Sequence, residues 1–191
     1  MIRFLPALLL VSTLVAQAPA GLKLGERCPT FSLPGTDGKL HGPASATPLM
    51  VVFLSTECPY VMATQARINT YAKQYLGRIT VIAINANDVD SHAKESLADM
   101  RAQAQGQGFN FPYLKDEPQS VTRAFGAACT PDFFLFDAAR TLVYRGRMDD
   151  NWRDATKVSV RDLEAATEAI LGGKPVSAQQ PPSRGCSIKW K

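Results

Sequence analysis

The stretch "FLSTECPYVM", residues 53–62, closes an apolar run with a single cysteine followed at once by a proline. A cysteine at a strand-to-helix junction faces the partial positive charge of the helix N-terminus, which favours the thiolate and makes the sulfur a nucleophile. An unpaired cysteine is also among the residues most often buried as plain packing. These ten residues therefore leave Cys58 open between reactive and inert, and the flanking elements have to decide.

Upstream, "PLMVVFLS" (48–55) is continuous, apolar and partly β-branched, the pattern of a strand buried on both faces. Downstream, Val61, Ile68, Ala72 and Tyr75 recur at helical spacing, with Pro59 in the first turn where its missing N–H costs nothing and Gly77 as the stop. "RITVIAINA" (78–86) repeats the buried-strand pattern. Asp90 and Ser91 then offer caps for a helix with Ala93, Leu97, Met100 and Ala104 on one face. "FNFPYL" (109–114) reads as a short extended piece, "PQSVTRAFGA" (118–127) as a short helix, and 132–148 as an antiparallel hairpin turning at Asp137–Arg140. Leu163, Ala166 and Ile170 mark a last helix closed by Gly172-Gly173. "FSLPGTDGKLHG" (31–42) is a short hairpin near the start.

The resulting order predicts a mixed α/β sheet whose first strands are parallel, with an antiparallel hairpin on its edge. Ligand chemistry in such sheets collects beyond the carboxyl ends of the strands, and Cys58 follows such an end. Its placement favours the reactive reading.

The chain opens with "MIRFLPALLLVSTLVAQAPA": one arginine, an apolar run and the small residues Ala18-Pro19-Ala20. This is the pattern of a secretory signal cut after Ala20, and it predicts a periplasmic or secreted protein with no stable membrane association after cleavage. Processing leaves 171 residues and lowers the net charge from +4 to +3. The expectation is one domain over 21–175 and a tail over 176–191. The basic residues are scattered, so nothing points to nucleic acid. Cys28, Cys58, Cys129 and Cys186 all enter a compartment where disulfides persist, and counting cannot choose among their three pairings.

"VVFLSTECPYV" (51–61) and "CTPDFFLFD" (129–137) resemble the thioredoxin fold superfamily, in its redoxin and peroxiredoxin-like branch, over about residues 25–173. The resemblance implies a three-layer α/β fold with helices on both faces of a central mixed sheet. It places Cys58 at the first position of a Cys-x-x-Cys site and Val61 at the second, and makes Thr130-Pro131 a cis-proline loop that docks the partner. Pro59 and Tyr60 would line the same substrate face. The closing "GCSIKW" resembles the ending of one bacterial group of thioredoxin-like proteins. Because Val61 cannot form a disulfide, either Cys129 or Cys186 must resolve a mixed disulfide, or an external thiol must. Cys129, two residues before the expected cis-proline, is expected to be the thiol nearest Cys58, with Cys186 on a Pro-rich tail of no fixed position.

The resulting expectation is a monomeric thiol–disulfide oxidoreductase acting on protein or small-molecule thiols and disulfides, without cofactor or metal. A peroxidase is the alternative: Ser55 stands at the peroxiredoxin offset, but Val51 replaces the expected proline and no matching arginine precedes the 132–137 strand. A further alternative is a non-catalytic module, stapled by disulfides or holding copper(I) on Cys58, Cys129 and Cys186. His41 and His92 lack a second ligand at metal spacing and read as surface residues. "YRGRMDDNWRD" (144–154) reads either as a solvated loop or as a partner-selecting rim, and Phe133, Phe134 and Phe136 read as core.

Overall fold

Period-two alternation in two buried strands builds the molecule. The computed structural model describes residues 21–43 and 46–191, so the expected signal lies outside the described residues. β1 (Leu33–Pro34) and β2 (Leu40–His41) form the small N-terminal hairpin. The main sheet contains β3 (Leu49–Phe53), β4 (Thr80–Asn85), β5 (Tyr113–Lys115), β7 (Asp132–Phe136) and β8 (Leu142–Gly146), in the order β5-β4-β3-β7-β8. The first three are mutually parallel, while β7 runs antiparallel to both β3 and β8.

Met50, Val52, Leu54, Phe133 and Leu135 face one core, into which α1 (Pro59–Gln74), α2 (Leu97–Gln107) and α4 (Asp162–Leu171) deliver Ile68, Met100 and Leu163. Leu49, Val51, Phe53, Phe134 and Phe136 face the other. There α3 (Ser120–Phe125) contributes Phe125, whose ring meets Phe53, Phe134 and Phe136 edge-on at 5.3–5.9 Å. Helices therefore cover both faces, and the three phenylalanines of β7 are core.

Two local expectations need correction. The helix expected from Asp90-Ser91 begins later: a 3₁₀ turn spans Ala93–Glu95, and Ser96 caps α2 by accepting from the Asp99 N–H at 3.2 Å. Asp88 instead receives the Ser91 N–H, and Ala93 is exposed. A side chain that captures a nearby backbone N–H competes with the helix start it could have capped.

The tail is the larger correction. Instead of lacking a fixed position, it is tied along its length. Gln180 donates to Val143 O, Pro181 O accepts from Arg147 N, and Ser183 Oγ donates to Asp132 Oδ1 and Gly146 O. β9 (Cys186–Ser187) then pairs antiparallel with β6 (Cys129–Thr130), and Ile188 enters the second core at 5 % exposure. Proline-rich composition weakens internal secondary structure but does not prevent a segment from pairing with an edge already in place.

Candidate active site

Strand β3 and helix α1 place Cys58. The strand extends one residue further through Leu54 N to Ile84 O, and four residues later Cys58 occupies the N-cap of α1 with extended backbone (φ −76°, ψ 119°). Its carbonyl accepts the first helical bond from Met62 N at 2.9 Å, and Pro59 opens the helix as expected. Cys58 is 2 % exposed. Its Sγ donates to the Thr130 carbonyl at 2.9 Å, and the Thr130–Pro131 peptide bond is cis. The loop that the sequence singled out thus lies against the nucleophile candidate.

The partner thiol differs from expectation. Cys186, not Cys129, is the thiol set opposite Thr130, the residue whose carbonyl takes the Cys58 S–H. Antiparallel register explains the choice. Thr130 faces Cys186 across β6–β9, so the residue whose carbonyl meets Cys58 also carries Cys186 opposite it. Side chains of neighbouring strand residues point to opposite faces, so Cys129 is turned away from the face its neighbour uses. Its Sγ points instead to Pro131 O at 3.6 Å. Burial first, then the neighbouring Cys58, pushes the Cys186 thiol up to about 11. Burial and then the charge of Asp132 push Cys129 up to about 12. Cys28 takes no part. Its N–H bonds Arg140 O in the β7–β8 turn, at the far end of β7 from Pro131, roughly 13 Å of strand away.

Beneath the Cys58 loop lies a buried polar network that the sequence reading missed. Glu95, 1 % exposed, accepts from Ser55 Oγ at 2.5 Å, Asn85 Nδ2 at 2.6 Å, and Thr56 N and Asn87 Nδ2 at 3.0 Å. Burial opposes its ionisation, but the four hydrogen bonds outweigh it and hold the carboxyl below its ordinary value. Lys115, 5 % exposed, donates to Asn87 O at 2.7 Å and Glu95 O at 2.9 Å, and burial lowers its pKa. The network clamps residues 55–57, the approach to Cys58. A signal existed for the asparagines, polar residues closing an apolar strand at its carboxyl end. None existed for Glu95, which sits in a 3₁₀ turn.

Ser55, the residue at the peroxiredoxin offset, spends its hydroxyl on Glu95 and Glu57 N. Among the described residues, no group of three or more His, Cys, Asp or Glu side chains gathers to hold a metal, so the three thiols do not form the copper(I) cluster considered above. The segment 144–154 is no solvated loop: Met148 and Asp149 are buried, and Arg67 pairs with Asp149 and donates to Trp152 O at 2.8 Å. The Trp152 ring lies tilted against Tyr60 with centroids 3.9 Å apart, which brings this segment to the helix start beside Cys58. His41 pairs with Asp37 at 3.0 Å in the N-terminal hairpin, and His92 contacts Ser91.

A parallel strand, a cysteine at the next helix start and a cis-proline loop across from it define a thioredoxin-like redox fold. Residues 23–166 match the Redoxin family model, and the chain belongs to that family. It is similar to the crystal structure of a hypothetical protein from Sinorhizobium meliloti 1021, with 43 % identity, TM-score 0.84, and coverage of 90 % of this chain and 97 % of that one. It is also similar to an uncharacterized conserved protein from Geobacillus kaustophilus, with 37 % identity, TM-score 0.83, and coverage of 92 % and 94 %. A secreted Mycobacterium tuberculosis disulfide oxidoreductase shares the fold at 18 % identity and TM-score 0.51, over 59 % of this chain and 79 % of that one. No curated protein matches the chain.

Proposed function

We propose that the protein is an exported, monomeric thiol–disulfide oxidoreductase in which Cys58 attacks and Cys186 resolves. The observation that carries this is the register that sets Cys186 opposite Thr130, whose carbonyl accepts the S–H of Cys58 at the N-terminus of α1. The Cys58 thiolate attacks a disulfide sulfur and expels one thiol. Cys186 then attacks the Cys58 sulfur of the mixed disulfide, expels the second thiol and leaves a Cys58–Cys186 disulfide. We assign Thr130 and Pro131, with Pro59 and Tyr60 of the helix start, to the substrate face, on the Cys58–Thr130 hydrogen bond and the sequence position of the rest, and no step requires a cofactor. Export rests on the N-terminal sequence pattern, and the compartment it implies is one where such a pair cycles.

Two measurements test the reading. Peptide mapping of the oxidised protein is expected to find Cys58 joined to Cys186, and Cys186→Ser is expected to accumulate a mixed disulfide at Cys58. A Cys58–Cys129 bond, or turnover unchanged in Cys186→Ser, refutes the assignment. A structural staple would resist reduction near the glutathione potential, whereas a catalytic pair is reduced there.

A further inference from the structure

The strand that carries Cys186 also occupies the backbone edge beside Cys58. β6 is two residues long and pairs with β9, and Thr130 lies opposite Cys186 in the register. Gly185 is pressed so close that a Cβ there would come within 2.0 Å of Thr130 O and 2.5 Å of Thr130 C. The same carbonyl takes the Cys58 S–H. An extended polypeptide that presents a disulfide to a buried sulfur needs main-chain hydrogen bonds along an adjacent edge. Here the chain's own residues hold that edge.

The occupant is secured on both sides. Before it, Ser183 bridges Asp132 and Gly146. After it, Ile188 is buried, Lys189 N donates to Asn87 Oδ1, and Lys189 O accepts from Asp88 N and Gln119 Nε2. The Arg123 guanidinium lies over the Trp190 ring at 4.3 Å. Displacing β9 would break these contacts together and carry Cys186 away from Cys58.

Resting on the thiol–disulfide reading above, we infer that β9 is a built-in occupant of the docking edge and restricts Cys58 to low-molecular-weight disulfides, excluding disulfides held in extended polypeptides. A small disulfide RSSR has no main chain to pair, so it does not compete with β9 for the Thr130 edge. It loses one RS⁻ to the Cys58 attack and the second to the Cys186 attack, each leaving with the proton of one protein thiol. The balance is RSSR and two protein thiols to two RSH and one internal disulfide. A low-molecular-weight thiol returns the pair to the reduced state by the reverse exchange, with β9 in place throughout.

The test compares reduced full-length mature protein, Gly185→Ala and Ile188→Ala against two probes. One is 2-hydroxyethyl disulfide; the other is an extended peptide whose single cysteine is capped as the mixed disulfide with 2-mercaptoethanol. Loss of free Cys58 thiol is timed by quenching and mass spectrometry. The wild type is expected to consume the small probe about tenfold or more faster than the peptide, the margin an occupied edge denies to main-chain binding. Gly185→Ala drives β9 off Thr130 by steric contact and Ile188→Ala loosens its anchor, so either variant is expected to gain on the peptide while losing internal disulfide. Equal wild-type rates on the two probes, or no gain on the peptide in both variants, overturns the inference and leaves the thiol–disulfide reading intact. Failure of Cys58 to react with either probe in all three proteins overturns both.

Discussion

Removing the Glu95 carboxylate tests the buried network directly. Its four donors are Ser55 Oγ, Asn85 Nδ2, Thr56 N and Asn87 Nδ2, and the three side chains among them are at most 4 % exposed. Hydrogen bonds to a charged group are worth about 1.5–3 kcal/mol each, and a buried donor left unpaired costs about 1–3 kcal/mol. Asn85 keeps Tyr113 Oη at 3.2 Å as a second partner, and the Ser55 hydroxyl can rotate. Glu95→Ala is therefore expected to cost about 3–5 kcal/mol, a large share of a total stability of about 5–15 kcal/mol. Glu95→Gln keeps the shape but turns an N–H₂ toward a donor, and should cost about 1–3 kcal/mol. The two variants also separate in pH. The carboxyl's pKa is lower in the folded protein than in the unfolded chain, so its stabilisation is present above the unfolded value and is lost as pH falls through the folded one. The gap between wild type and Glu95→Gln should therefore shrink on acidification. Urea unfolding across neutral to acid pH reads both effects. A loss below about 1 kcal/mol for Glu95→Ala, or a gap to Glu95→Gln that does not move with pH, refutes the reasoning.

Three further outcomes follow from the same geometry. Arg67→Ala strands the buried Asp149 carboxylate, and should cost about 3–5 kcal/mol and lower the melting temperature, with Trp152 fluorescence reporting release of its contact with Tyr60. Alkaline pH should weaken the fold. Burial raises Cys28 and Cys186 to about 11 and Cys129 to about 12 from 9.0, so the unfolded thiols ionise first and stability falls as pH rises above about 9; a Cys28→Ser/Cys129→Ser/Cys186→Ser triple variant should lose the part of that fall between about pH 9 and 10 in denaturant titrations, the buried tyrosines Tyr71, Tyr75, Tyr113 and Tyr144 adding their own fall above it. Cys28→Ser, at the far end of β7, should leave the rate of small-disulfide reduction within about twofold of wild type, since sites without shared contacts act independently.

The sequence alone determined whatever rests on neighbours in the chain. An eight-residue apolar run followed three residues later by a cysteine and a proline can be read as strand, nucleophile and helix start because periodicity and capping act over one or two turns. The β7–β8 hairpin was readable for the same reason, whereas the Thr130-Pro131 loop was legible only through the resemblance to the thioredoxin fold. The choice between Cys129 and Cys186 was not. It depends on the pairing of β6 with a segment more than fifty residues later in the chain, and on the alternation that turns Cys129 away while Cys186 faces Cys58. Glu95 was equally hidden, because the four donors that make its charge tolerable converge only when the ends of β3 and β4 meet the 3₁₀ turn. Composition made the tail look loose, yet tertiary contacts fixed it, since an edge strand and a buried isoleucine stabilise a segment that has no local structure of its own.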